Sequence, residues 1–132
     1  MGKYVYPVIL TPEEEGYFVN FPDIESCYTQ GDNLADALEM AKDVLALRLC
    51  AYENEKRSIP QASLKQNFIL EENQIISLVS ADTMEYRKMW DNKAIKKTLT
   101  IPAWLNTLAE KSEINFSAIL QKALKDELKL VE

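Results

Sequence analysis

One short run near the C-terminus, Lys96-Lys97-Thr98-Leu99-Thr100-Ile101-Pro102, limits what this 132-residue chain can become more than any other feature. It reads as a strand that stops at a proline. Side chains alternate along a strand, so Leu99 and Ile101 fall on one face and Lys96, Thr98 and Thr100 on the other. Lys97 lands on the apolar side by parity, the one defect in the pattern; either its long stem reaches the edge or the strand begins later. Pro102 cannot continue a ladder, but its fixed φ suits the first turn of a helix. Apolar residues then recur at helical spacing, at Leu105, Leu108 and Ala109. After Lys111-Ser112-Glu113 and a break near Asn115, a second helical pattern carries Ile119, Leu120, Ala123, Leu124 and Leu128. A strand and two helices in about 36 residues are too little to bury a core alone. Two copies that pair their strands remove the difficulty, and they set Lys96, Thr98 and Thr100 side by side twice on one surface.

The stretch Lys96–Leu128 resembles the ribbon-helix-helix fold, a dimeric module whose two-stranded ribbon enters the DNA major groove. The resemblance implies that Lys96, Thr98 and Thr100 face the bases, since lysine donates to guanine edges and threonine bonds a base or touches a thymine methyl. Asn115 reads as the N-cap of the second helix, leaving the amides of Phe116 and Ser117 to meet a phosphate. Leu99, Ile101, Leu105, Ile119 and Leu120 are then the dimer interface. The competing reading is a solvated strand face beside two core helices.

Charge decides whether a nucleic-acid role is tenable. The chain is acidic, at net −6, which taken whole argues against it. The acidity is uneven. Residues 1–93 hold nine Lys/Arg against sixteen Asp/Glu, whereas residues 94–132 hold six against five. The last part is therefore free to approach phosphates, and the acidic first part suits a basic protein partner; acidity also simply keeps a small protein soluble.

From the start, Lys3–Leu10 alternates aromatic and β-branched residues and reads as a strand, with Pro7 pushing it toward a sheet edge or a bulge. Thr11–Gly16 reads as a loop, Tyr17–Phe21 as a second strand antiparallel to the first, Asp23–Ser26 as a turn and Cys27–Gln30 as a third strand. Asn33 is an N-cap, with Asp36 three residues on. Leu34, Leu38, Ala41, Leu45, Leu49 and Tyr52 form one stripe, the clearest helix in the chain, over Leu34–Asn54; Asp36, Glu39, Lys42 and Asp43 occupy its other face. Asn67–Leu70 is either a short strand or an extended loop. Gln74–Ala81 reads as a fourth strand returning to the sheet, Thr83–Trp90 as a short helix and Asp91-Asn92-Lys93 as a linker. The expected class is α+β, in three parts: residues 1–82, a sheet of three to four strands with one long helix; residues 83–93, a linker with a short helix; residues 94–132, the strand–helix–helix module.

The run Gly16-Tyr17-Phe18-Val19-Asn20-Phe21-Pro22-Asp23, then Cys27-Tyr28-Thr29-Gln30-Gly31-Asp32, then Leu34 and Ala37-Leu38, resembles the HicB antitoxins in order and spacing over about 40 residues. A proline-glycine pair common in that family's second turn is Glu25-Ser26 here, which alters the turn. The resemblance implies a shortened ribonuclease-H-type sheet that binds and blocks HicA, a small basic messenger-RNA-cleaving toxin, and often a C-terminal DNA-binding module of ribbon-helix-helix form that represses the antitoxin's own genes. It implies an inhibitor and not an enzyme. The exposed turn Asp23, Ile24, Glu25 and Ser26 is the expected toxin contact, because acidic residues there complement a basic partner. The alternative is a ribbon-helix-helix regulator whose N-terminal domain senses a small ligand.

Catalysis of its own finds little support in the residues. The chain contains no histidine, which removes the usual general base near neutral pH and the commonest metal ligand. Cys27 and Cys50 have no activating partner and read as small buried apolar residues. A two-metal nuclease needs converging carboxylates; Asp23, Glu25, Asp32 and Asp36 are the nearest set, and Asp36 is already explained by capping. No cofactor or metal is expected. No basic region followed by an apolar run marks the N-terminus, and the apolar helix around Val44–Tyr52 is interrupted by Arg48, so the chain is expected to be cytoplasmic, with no membrane contact.

Overall fold

In the computed structural model, which describes residues 2–64 and 68–130, the chain divides into two compact units, residues 1–93 and 94–132. The first unit is built on β1 (Lys3–Glu13), β2 (Gly16–Asn20), β3 (Tyr28–Gly31), α1 (Leu34–Asn54), β4 (Ile75–Asp82) and α2 (Thr83–Trp90). Its four strands form one antiparallel sheet in the order β3-β2-β1-β4.

The expected loop over Thr11–Gly16 is mostly strand. β1 runs on to Glu13, which pairs with Gly16, so only Glu14 and Glu15 turn the hairpin. Gly16 sits at φ 97°, in the left-handed region open to glycine. Pro7 does not place β1 at an edge, because β1 is an inner strand. The ladder to β2 covers only Ile9–Glu13, and that to β4 covers Lys3–Leu10. Pro7 therefore lies where β1 is paired on one side alone, and its missing N–H is lost on the open side.

The inward faces of the strands carry Tyr6, Val8, Leu10, Val19, Val79 and Ala81, all buried beneath α1. α1 spans Leu34–Asn54 as the periodicity predicts. Asn33 Oδ1 accepts from the Asp36 amide, and Asp36 Oδ2 accepts from the Asp32 amide, so one first-turn donor and the amide just before the cap are satisfied. The buried stripe is Ala37, Ala41, Leu45, Ala46, Leu49, Cys50 and Tyr52. Leu34 is exposed and Leu38 half-buried, because small residues at Ala37 and Ala41 bring the helix start close to the sheet. Gly31 makes that approach possible: a Cβ there would stand 2.4 Å from the Ala37 amide nitrogen. Asn67 lies outside the described residues, and Phe68–Leu70 form no regular element.

A polar cluster fastens the far end of α1. Glu53 Oε2 accepts from the Tyr4 hydroxyl (2.9 Å) and from Thr83 Oγ1 (3.0 Å), and Glu53 Oε1 accepts from Arg87 (3.1 Å), which also donates to the Cys50 carbonyl. The Gly2 and Thr83 backbones join across the same point. One carboxylate thus ties β1, α1 and α2 together.

The second unit holds α3 (Ala103–Lys111) and α4 (Phe116–Glu127). Pro102 stands at the N-cap and not inside the first turn, with ψ of 142° still extended. The turn between the helices closes on Glu113 at φ 53°, with the Ile114 amide returning to the Ala109 carbonyl. Residues 91–102 form no regular element, so the strand expected over Lys96–Ile101 has no ladder in the single chain. A strand exists through its hydrogen-bonded neighbour, and no described residue of this unit supplies one.

Candidate functional site

Two surfaces carry the residues the sequence singles out, one in each unit. In the first, the segment from Phe21 to Cys27 closes on itself through the Phe21 amide and the Cys27 carbonyl (3.0 Å). The expectation of a fully exposed contact turn is corrected here. Ile24 is buried at 2% exposure, because Phe21 and Cys27 anchor both ends in the core and carry the one apolar side chain between them inward. Asp23 is half-buried, and its carboxylate accepts from the Ser63 amide (2.8 Å) and the Ser63 hydroxyl (2.6 Å). It fastens the chain beyond α1 to this turn.

Glu25 and Ser26 remain exposed. Ser26 adopts φ 54°, left-handed, where the family's turn commonly places glycine, and its carbonyl accepts from Arg48 Nε (3.2 Å). Together with Arg48, Tyr52, Glu55 and Arg57 these two residues line a polar cleft of about 270 Å³. Arg57 lies over the Tyr52 ring at 4.5 Å and pairs with Glu55. The cleft offers both signs of charge to a partner.

Behind this surface the titratable groups are locked. Burial raises the Tyr6 hydroxyl to about 12, and it donates to the Pro60 carbonyl. Burial likewise pushes the Cys27 thiol up to about 11, against a smaller opposing pull from Arg48. Burial alone would raise the Glu53 carboxyl, but hydrogen bonds from Arg87, Tyr4 and Thr83 outweigh it and hold the group below its ordinary value. Both cysteines are free and buried, as their isolation in the sequence predicts. Among the described residues, no three His, Cys, Asp or Glu side chains gather as metal ligands.

In the second unit, Lys96, Thr98 and Thr100 are exposed. Asn115 does cap α4, its Oδ1 accepting from the Ala118 amide (3.0 Å). Phe116 and Ser117 are left as first-turn amides that have no partner within the helix. No residue of α3 or α4 is buried. Leu99, Ile101, Leu105 and Ile119 are exposed, at 64, 43, 41 and 52%, and Leu120 is half-buried. The sequence reading missed Trp104, 66% exposed on α3. Its spacing to Leu108, one helical turn on, was the signal that places it on the same apolar face. Among the described residues no helix is long and apolar enough to cross a membrane.

Among the described residues, the chain thus carries a small sheet under one long helix and two further helices that bury none of their apolar residues. Residues 5–81 match the HicB-like antitoxins of bacterial toxin–antitoxin systems, and the chain belongs to that family. It is similar to Antitoxin HicB 1 of Photorhabdus laumondii, 52% identical over 56 residues, which are 42% of this chain and 36% of that protein. It is also similar to Antitoxin HicB of Escherichia coli K12, 46% identical over 59 residues, 44% of this chain and 43% of that one. The chain thus spans less than half the length of these two relatives. A chain from a toxin–antitoxin complex of Streptococcus pneumoniae superposes with a TM-score of 0.58 at 30% identity, covering 95% of this chain and 99% of that one. The antitoxin HicB of Burkholderia pseudomallei shares the fold at a TM-score of 0.54 and 16% identity, over 95% and 98% of the two chains.

Proposed function

We propose that this chain is a non-enzymatic antitoxin that neutralises a HicA-type mRNA-cleaving toxin by direct binding and represses its own operon as a dimer. Membership of the family and likeness to a chain from a toxin–antitoxin complex support the toxin partner. The first unit, with its own buried core, is the toxin-binding part, residues 1–82, and exposed Glu25 and Ser26 are its contact candidates; residues 83–93 link it to the second.

The observation that carries the second half of the reading is the bare apolar surface of residues 94–132. Leu99, Ile101, Trp104, Leu105 and Ile119 stand exposed on a unit in which no described residue is buried. A second copy covers them if the two Lys96–Ile101 segments pair as an antiparallel ribbon with the four helices beneath, the ribbon-helix-helix arrangement. Lys96, Thr98 and Thr100 of both copies then face one major groove, and the Phe116 and Ser117 amides grip flanking phosphates. The cytoplasm is where such a protein works.

The test pairs purified chain with the small basic protein encoded beside it. The chain alone should leave RNA intact, with or without magnesium, and should stop cleavage by that protein at equimolar ratio. It should also retard DNA from upstream of its own gene. Undiminished RNA cleavage in its presence would refute the antitoxin reading, and absence of any retarded DNA would refute repression.

A further inference from the structure

α2 is fastened to α1 and leaves a cleft beside it. Arg87 donates to Glu53 and to the Cys50 carbonyl, both on α1, and Asp82 Oδ1 caps α2 through the Met84 and Glu85 amides. The cleft is therefore built into the fold. Its volume is about 540 Å³, in the range of small-molecule sites. Ala46 of α1 and Tyr86, Met89 and Trp90 of α2 give it apolar walls. Met89 and Trp90 stand open to solvent there, at 68 and 70% exposure.

The groups on α2 fall in one row, because Asp82, Glu85–Tyr86 and Met89–Trp90 recur at helical spacing. The two ends of the row differ in chemistry. Its start carries the carboxylates of Asp82 and Glu85. Its far end carries the Trp90 indole, about 7.5 Å beyond Glu85 by the helical rise. Asp43 faces the row from α1. Burial raises the Tyr86 hydroxyl above its ordinary value, with smaller contributions from Cys50 and Asp43, so the charge of Asp43 reaches across the cleft. Among the described residues Lys42, Asp43, Glu85 and Lys88, which all line the cleft, form no ion pair.

Charge decides what fits. Asp43, Asp82 and Glu85 oppose Lys42 and Lys88 around the opening. Both lysines are exposed, and their long stems let the ammonium groups stand out in water, whereas Asp82 is pinned by its capping bonds. Residues 1–93 as a whole hold nine Lys/Arg against sixteen Asp/Glu, so the surrounding field favours a cation. A neutral apolar ligand would desolvate the carboxylates and pair none of them.

We propose that this cleft binds a short aliphatic diamine. One ammonium sits against Asp82 and Glu85, the carbon chain runs along Tyr86 and Met89, and the second ammonium lies over the Trp90 ring. The span of about 7.5 Å from Glu85 to Trp90 is that of an extended five-carbon diamine. The site needs neither the toxin nor the DNA reading, since every residue in it belongs to the first unit.

The test is titration calorimetry of the full chain with cadaverine, on wild type, Trp90→Ala, Trp90→Phe, Glu85→Gln and Glu72→Gln, each checked for native far-UV circular dichroism. Glu72 is an exposed carboxylate that does not line the cleft. Trp90→Ala should weaken binding about tenfold and Trp90→Phe about threefold, since tryptophan holds a cation best. Glu85→Gln should weaken it about threefold, as an exposed ion pair allows, and Glu72→Gln should leave it unchanged. Pentanediol, the neutral analogue, should give no binding heat, and magnesium at equal charge should not displace cadaverine. Pentylamine, with one ammonium like a lysine side chain, should bind about tenfold more weakly for want of the second charge. Where Trp90→Ala loses the fold, Trp90→Phe and Glu85→Gln carry the test. Binding unchanged by the cleft variants overturns the proposal, as does displacement by magnesium or equal loss in Glu72→Gln, which would mark general acidity. Pentylamine bound as tightly as cadaverine also overturns it and assigns the cleft to a partner's lysine.

Discussion

The sharpest test of how the first unit holds together is Glu53→Gln. Glu53 is 9% and Arg87 14% exposed in their side chains, so the pair is largely desolvated. Removing one partner of a buried ion pair costs about 3–5 kcal/mol, because the other charge is stranded. Glutamine keeps an oxygen for Arg87 and an amide that the Tyr4 and Thr83 hydroxyls can turn to accept, which lowers the expectation to about 2–3 kcal/mol. For a unit of this size that is a fall of about 10–20 °C in melting temperature. Urea denaturation of wild type, Glu53→Gln, Arg87→Met and the double variant gives the coupling directly, and the double should cost less than the singles added. The pH dependence is fixed in sign. The Glu53 carboxyl is held below its ordinary 4.5 in the folded state, so its stabilisation is full above that value and fades as pH falls through the depressed folded one. The gap between wild type and Glu53→Gln should close in strong acid. A Glu53→Gln protein within about 0.5 kcal/mol of wild type at neutral pH, or a gap that persists unchanged in acid, refutes the account.

Gly31→Ala should destabilise by about 1–3 kcal/mol or more, since the new methyl meets α1 backbone and not a yielding side chain; thermal melts of the two proteins decide it. Lys96→Ala and Thr98→Ala should each weaken operator binding by about 1–3 kcal/mol while leaving dimer mass and toxin inhibition intact, read by mobility shift beside sedimentation. Leu99→Asp should lose C-terminal pairing and DNA binding together, because it buries an unpaired charge; a variant that keeps tight operator binding without pairing there contradicts the ribbon. Asp23→Ala should free the Ser63 backbone, seen as faster hydrogen exchange or proteolysis around residues 60–64, with the sheet unchanged.

What the sequence declares locally it declares well. α1 and α2 were legible over Leu34–Asn54 and Thr83–Trp90, since capping and periodicity act within a few residues. The failures are non-local. Nothing near Ile24 announces that the turn folds it inward; that depends on Phe21 and Cys27 both being held by the distant helix. Pro7 correctly flags an open side, yet the neighbour it lacks is β2 over part of its length, a matter of strand offset. The burial of Leu34 was overestimated because periodicity names a face but does not say how far along it the sheet extends. Leu99 and Ile101 pose the extreme case: a strand there needs a neighbour that no described residue of their own unit provides, and residues 91–102 form no regular element in the single chain.

The two cysteines are buried at different places along α1, Cys27 facing the Val44 carbonyl at mid-helix and Cys50, on the helix itself, facing the Thr83 carbonyl at the start of α2. Burial holds the Cys27 thiol well above its ordinary value, which disfavours the thiolate, the reactive form. A sulfhydryl reagent therefore marks each residue only when its surroundings part. The chain carries two internal clocks, one timing the release of the turn that holds Asp23, the other timing the lifting of α2 from α1. Equal labelling rates would mean the unit opens as one body, and unequal rates would show which of the two contacts lets go first.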